Sequence, residues 1–293
     1  MTANTANTAN TANTANAGNS GTNDPGGGWY FADRVSYPFV DDTDVDRGQA
    51  TLLSHFPARG WNAIWSCWVV LTEFAQTDWA SIPLEAPPPD SMDIPGLQNL
   101  ARFERADAAD EIIAQKDEFI SYFMGLLGAS PASYPATFRL MHLANLLGTF
   151  MAMYHKRKHK RPRPSQIAPS LMPPLPLPGH ASYPSGHATQ AHLIAQVIEG
   201  ILPAADKTIR ANNLKALAAR IARNREIAGL HFESDSIAGK KLAGAIFHFL
   251  ELDRAVAVAA AASSKSPGGG GTIAQPLIPG YAAFFNAAAN EWS

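Results

Sequence analysis

Three segments between Lys156 and Asp235 carry side chains whose types and spacing suit anion chemistry. Lys156 is followed by six residues and then Arg163-Pro164; Ser182-Tyr183-Pro184-Ser185-Gly186-His187 comes next; Arg225 is followed by five residues, His231, three more, and Asp235. Lysine acts as a point charge and arginine as a bidentate donor, so Lys156, Arg163 and Arg225 suit an anion with several oxygens. His231 and Asp235, four apart, share a helix face, where a carboxylate can hold one imidazole nitrogen by its proton and leave the other as a nucleophile. Ser185 is a good helix N-cap, Gly186 lets an anion approach the free amides of a helix start, and His187 would stand beside that anion, where it could pass a proton. Taken as one set, these residues would hold a tetrahedral oxyanion next to a histidine nucleophile.

Each segment also has an ordinary reading. The run from Lys156 to Arg161 is what a solvated basic face or a nucleic-acid patch looks like. Pro-Ser-Gly-His alone is a helix start, and His231 with Asp235 alone is a common surface pair. A metal site built from His180, His187, His192 and His231 would leave the three cations unexplained, because they repel the ion, so no metal is expected. A binding module that grips an anionic polymer or membrane surface with the basic cluster is a reading from another class. The formal net charge of -2 and the lack of aromatics interleaved with Lys156 to Arg163 argue against nucleic acid as its partner.

The elements around these segments must bring them together. Pro135 opens a helix on which Leu140, Leu143, Ala144, Leu147, Met151 and Tyr154 recur at helical spacing, and Pro162 and Pro164 end it. Lys156 then lies near a helix end and Arg163 on an extended segment. Pro169 to Pro178, with five prolines in ten residues, is expected as a stiff connection returning the chain to the site. Further helices are expected from Gly186 to Leu202, from Ala205 to Ala228 with Gly229 as the break, and from Ser234 to Ala262. Ahead of these, Trp61, Trp65, Trp68 and Thr72 place three indoles on one helix face, expected to be core, and Pro83 to Pro95 must be a loop. Leu97 to Phe119 is expected as one long amphipathic helix with Asp107, Asp110, Glu111 and Lys116 on its wet side. No stretch alternates with period two over any length, so the expected class is all-α, a single-domain helical bundle.

The domain limits follow from composition. Thr-Ala-Asn repeats five times from Thr2 to Asn16, and residues 1–28 are expected to be a disordered tail outside the fold. Residues 29–262 form the helical domain, 263–274 a glycine-rich linker, and 275–293 an aromatic tail that could dock back. The acidic run Asp41 to Asp46 resembles half a calcium loop, but Arg47 and Leu53 occupy the positions that need glycine and glutamate, so a solvated turn is expected. Cys67 is the sole cysteine, which excludes an intrachain disulfide and a cysteine-rich metal site. The apolar runs Trp61 to Phe74 and Leu140 to Met153 are shorter than the ~20 residues that span a bilayer. The expectation is a soluble protein without a transmembrane segment, cytoplasmic as the chain stands, with periplasmic or secreted placement as the alternative.

The order Lys-x6-Arg-Pro, Pro-Ser-Gly-His, Arg-x5-His-x3-Asp resembles the three-part signature of the type 2 phosphatidic acid phosphatase superfamily, which includes bacterial class A acid phosphatases and vanadium-dependent haloperoxidases. The match covers about 80 residues and departs at Asn224, where the family usually has serine. The resemblance implies that Lys156, Arg163 and Arg225, with Ser185 and the Gly186 amide, hold the phosphoryl oxygens. It implies that His231 attacks phosphorus to give a phosphohistidine, that Asp235 orients His231, and that His187 protonates the leaving alkoxide. The implied substrate is a small phosphate ester or a phospholipid headgroup. A phosphatase would need no cofactor, whereas a haloperoxidase would hold vanadate in the same place. Pro173-Pro174 has a haloperoxidase look; the short interval from His187 to Arg225, the 293-residue length and Asp235 resemble the compact acid phosphatases, so a phosphatase is the first expectation.

Overall fold

The structure, a computed structural model, describes residues 63–263 and 274–293. The expectations for residues 1–28, the aromatic segment from Trp29, the acidic turn and most of the linker lie outside these residues. Among the described residues the chain is all helical, with no strand. The longer helices are α1 (Ala63–Phe74), α2 (Ile94–Phe103), α3 (Arg105–Ala114), α4 (Ile120–Leu126), α5 (Pro135–His159), α6 (Gly186–Ile201), α7 (Ala204–Ile227), α8 (Glu233–Ser263) and α9 (Pro279–Asn290), with single turns at Trp79–Ser81, Pro164–Ile167 and Pro169–Leu171. Among the described residues no helix is long and apolar enough to cross a membrane.

The bundle is built round α6, against which α5, α7 and α8 all pack. Its sequence explains that position: Ala188, Ala191, Leu193, Ile194, Ala195, Val197 and Ile198 are buried on nearly every side. A helix apolar all round can be covered only from all round. Small residues on the neighbours set how close they come. A Cβ on Gly239 of α8 would stand 2.7 Å from the Ser185 carbonyl oxygen and 2.8 Å from Ala188 Cβ, so α8 touches the backbone at the start of α6. Gly239→Ala is therefore expected to cost about 2 kcal/mol through overpacking, read as a lower denaturation midpoint. Gly148 of α5 makes a similar but looser approach to Gln190.

Helix α5 carries Lys156 to the site, and its far end is fixed by the C-terminus. The Glu291 carboxylate accepts hydrogen bonds from the Ala136 and Thr137 amides at 2.7 and 2.8 Å and from the Thr137 hydroxyl, satisfying donors that a helix start leaves unpaired. Helix α9 buries Tyr281, Phe285 and Ala288. Its entry is held by Asp253, which accepts from the Leu277 and Ile278 amides, and by Glu73, which accepts from the Gly280 amide. At its other end α5 stops at Lys160, left-handed at φ 51°, before the prolines begin.

Two expectations are corrected. The predicted helix over Leu97 to Phe119 is broken into α2 and α3, with Phe119 standing just outside α4. The break turns Arg105 inward, where its guanidinium donates to the carbonyls of Ile227 at 3.0 Å and Leu171 at 2.7 Å and so closes the end of α7. The indole stripe of α1 does not face the core: Trp65 and Trp68 are 49% and 44% exposed, while Ile64, Cys67, Val70 and Phe74 are buried against the bundle. Trp61 lies outside the described residues.

Candidate active site

Lys156, Arg163, Gly186, His187, Arg225 and His231 all line one cleft, of about 690 Å³ including its open mouth. Thr149, Ala152, Met153 and Gln190 form its helical wall, and Pro178, His180 and Leu230 complete it. The three segments converge because each lies at a helix terminus that faces the cleft: α5 ends just past Lys156, α6 begins at Gly186, and the turn between α7 and α8 delivers His231.

Past Lys160 the chain is extended, with Arg161 buried, Pro162 exposed and Arg163 buried. An extended backbone places alternate residues on one side, so both guanidiniums point inward. Arg163 donates from Nε to the His180 carbonyl at 3.0 Å and from Nη1 to the Leu230 carbonyl at 2.9 Å, which leaves Nη1 3.5 Å from His231 Nε2. Lys156 is 2% exposed and donates from Nζ to the carbonyls of Ala181 and Ser182, each at 2.8 Å. Burial, then the Arg163 charge, pull its pKa well below the usual lysine value, while Asp235 opposes them. Burial likewise brings Arg163 and Arg225 down to about 10, so both guanidiniums stay charged at neutral pH. Arg225 donates from Nη2 to the Ile112 carbonyl at 2.7 Å, and its Nε is buried without a partner. An unsatisfied buried guanidinium N–H beside a cleft is what an anion would repay.

His231 sits on the turn that Gly229, at φ +75°, makes possible after α7. Its Nδ1 faces Asp235 Oδ2 at 3.4 Å and Ser182 Oγ at 3.3 Å, so Nε2 is the nitrogen left for the cleft. Burial, set against the hydrogen bond to Asp235, takes the His231 pKa well below the ordinary imidazole range, leaving a neutral ring. Asp235 is 0% exposed. Burial works to raise its pKa, but hydrogen bonds from His231 and Ser182, with the Arg161 charge, outweigh burial and hold it at about 2. A neutral imidazole backed by a carboxylate has the form of an activated nitrogen nucleophile.

His187 shows what the histidine at the helix start is held by. Its Nε2 donates to the carbonyls of Gln115 at 3.0 Å and Lys116 at 3.2 Å, just past the C-terminus of α3, so Nδ1 carries the second proton when the ring is charged. Burial, then the Arg225 charge, push its pKa down to about 3 against those two carbonyls, and the free site holds it neutral. Asn224, the departure from the signature, donates to Glu111 and Gln115 at 2.9 Å each and so braces the segment that grips His187.

The other predicted site residues are placed as follows. Ser185 is fully buried and caps α6, its Oγ accepting from the Ala188 amide at 3.3 Å; it stands outside the cleft lining, whereas Gly186 is part of it. The amides of Gly186 and His187, the first two of α6, have no acceptor among the described residues. His192 is also outside the lining, and among the described residues no group of three or more His, Cys, Asp or Glu side chains converges on one point. Three participants were not assigned from sequence. Ser182 donates to Asp235 Oδ2 at 2.6 Å, His180 accepts from Arg163 Nη2 at 3.1 Å through Nδ1, and Arg161 is buried in an ion pair with Asp235. The Arg-Pro-Arg-Pro alternation is the signal that finds Arg161.

No protein-family model and no curated protein matches the chain. Among solved structures it is similar to the first transmembrane PAP2 type phosphatidylglycerolphosphate phosphatase from Bacillus subtilis, over 69% of this chain and 87% of that one, at 16% identity and a TM-score of 0.33. A likeness that loose leaves the chemistry to the site's own geometry.

Proposed function

We propose that the chain is a phosphoric monoester hydrolase that works through a phosphohistidine on His231. The observation that carries this reading is a neutral imidazole, backed at Nδ1 by Asp235, whose Nε2 shares one cleft with the buried Lys156 amine and two buried guanidiniums. Lys156, Arg163 and Arg225, with the Gly186 and His187 amides, offer donors to the phosphoryl oxygens, where charge must be held through the transition state. In the first step His231 Nε2 forms a bond to phosphorus as the ester P–O bond breaks, and the departing oxygen takes the Nδ1 proton of His187. In the second, His187 takes a proton from water, whose oxygen bonds to phosphorus as the P–N bond breaks, releasing phosphate and restoring both rings.

The pH dependence has a definite sign. A nucleophile held neutral well below the ordinary imidazole range stays competent in acid, while the general acid at His187, lowered to about 3 in the free site, needs the bound dianion and protons from solution to charge. Turnover should therefore be higher on the acid side of neutrality and fall as pH rises. The test is hydrolysis of p-nitrophenyl phosphate in the presence of a chelator, with vanadate added as a trigonal-bipyramidal mimic. Hydrolysis that vanadate blocks supports the reading. Bromide oxidation by peroxide that appears with vanadate would replace it with a haloperoxidase, since the same donors suit either oxyanion.

A further inference from the structure

Both oxygens of Asp235 are committed. Oδ2 accepts from Ser182 Oγ at 2.6 Å and from the Phe232 amide at 2.9 Å and faces His231 Nδ1, while Oδ1 accepts from Arg161 Nη1 at 2.8 Å. Arg161 is itself fixed on several sides. Nη1 also donates to Ser234 Oγ at 2.7 Å, Nη2 donates to the Ser91 carbonyl at 3.0 Å and to Ser91 Oγ at 2.9 Å, and the guanidinium lies 4.4 Å over the Phe232 ring. The residue is 5% exposed and does not line the cleft, so it is not one of the anion's ligands.

We propose that Arg161 is a positioning residue for the nucleophile: by pinning Oδ1 it fixes the rotation of the Asp235 carboxylate, so that Oδ2 holds the His231 proton on Nδ1 and Nε2 stays bare. A carboxylate held through one oxygen can turn about its Cβ–Cγ bond, whereas one held through both cannot turn without breaking a charge-assisted hydrogen bond. Arg161 also compensates a fully buried anion that His231, neutral in the resting site, does not neutralise. Ser91 extends the chain of contacts to the proline-rich loop before α2, which thereby reaches the nucleophile without touching the cleft.

Losing the guanidinium has two effects of one sign. The Asp235 carboxylate gains proton affinity, and its charge, no longer shared with Arg161, raises the proton affinity of His231. Either moves the acid limb of the pH–kcat profile to higher pH. The kinetic part of this inference rests on the phosphatase reading; the ring's tautomer does not.

The experiment compares wild type with Arg161→Gln and Arg161→Lys in the full chain, using p-nitrophenyl phosphate kinetics and 15N-histidine NMR, with near-UV circular dichroism to establish the folded fraction. Arg161→Gln should lower kcat about 30-fold with KM within about threefold, shift the acid limb up by about one pH unit, and mix the two His231 tautomers. Arg161→Lys should restore most of kcat and the position of the limb. A loss of activity that merely follows the folded fraction, with the limb unmoved and His231 still a single Nδ1–H tautomer, would overturn the assignment. Should wild type hydrolyse no phosphate ester, the functional reading fails, and the His231 tautomer and titration in Arg161→Gln still decide the role of Arg161.

Discussion

His231→Ala should lower kcat by about 10⁴-fold or more while the helical circular dichroism stays in place. The ring is the one group in the cleft that joins a bare nitrogen to a fixed carboxylate, and its Nε2 lies 3.5 Å from Arg163 Nη1, close to where a phosphoryl oxygen would be held. Removing it leaves the cations to bind substrate, so KM should change far less than kcat. The fold should survive, because Asp235 keeps Arg161, Ser182 and the Phe232 amide as partners, and the emptied space opens on the cleft. Added imidazole should recover part of the lost rate by entering that space. A variant that keeps more than a few per cent of wild-type turnover would remove the nucleophile assignment.

Asp235→Asn should be nearly as damaging, at about 10³-fold in kcat, for a different reason. An amide cannot accept from Arg161 on one side and from Ser182, His231 and Phe232 on the other, so one of its N–H groups must face a donor. The favoured escape is to invert the His231 tautomer, which puts the proton on Nε2 and blunts the nucleophile. Stability falls as well, by about 3 kcal/mol at neutral pH, because Arg161 is left as a buried charge without a counter-ion. The pH dependence of that difference is fixed by the direction of the Asp235 shift. Its folded pKa of about 2 lies below the ordinary 3.8, so its stabilisation is complete above the ordinary carboxylate range and is lost as pH falls toward 2. The stability gap between wild type and variant, measured by urea unfolding at a series of pH values, should therefore narrow in acid. A gap that is constant with pH would mean that Asp235 is not ionised through its contacts with Arg161 and His231.

Local signals announced much of this fold because each has a direct backbone cause. Pro135 opens α5, Ser185 caps α6, and Gly229 supplies the positive φ that ends α7 and turns His231 into the cleft. The all-α class follows from helical periodicity over long segments. What periodicity could not choose was the buried face of α1, since Ile64, Trp65, Cys67, Trp68, Val69, Val70 and Leu71 leave that helix apolar on most sides. Packing then selected the smaller and branched side chains, which fit against the bundle, and left two indoles outside. The break between α2 and α3 has no proline or glycine to announce it; it is imposed by Arg105 reaching carbonyls that lie 66 and 122 residues away in sequence.

At the site, residue type pointed to side chains that line the cleft, but not to the residues that hold them in place. Arg161 belongs to a run of basic residues whose other members, Arg157, Lys158 and Lys160, are exposed as such a run leads one to expect. It turns inward as Arg163 does, because the helix has ended and an extended segment has begun. Ser182 and His180 are placed by the proline-rich return of the chain, and Gln115 by a loop whose carbonyls, not its side chain, meet His187. Such contacts depend on backbone atoms and on distant segments, which carry no residue-type signature.

The most direct measurement of the phosphohistidine intermediate is a rapid quench of the 293-residue chain with a 32P-labelled phosphate monoester, followed by peptide mapping. A phosphohistidine enzyme will carry label that survives alkali and is lost in acid, on the peptide containing His231, and His231→Ala will carry none. Turnover of the same ester with no label formed at any time point, or with label on another residue, would contradict it.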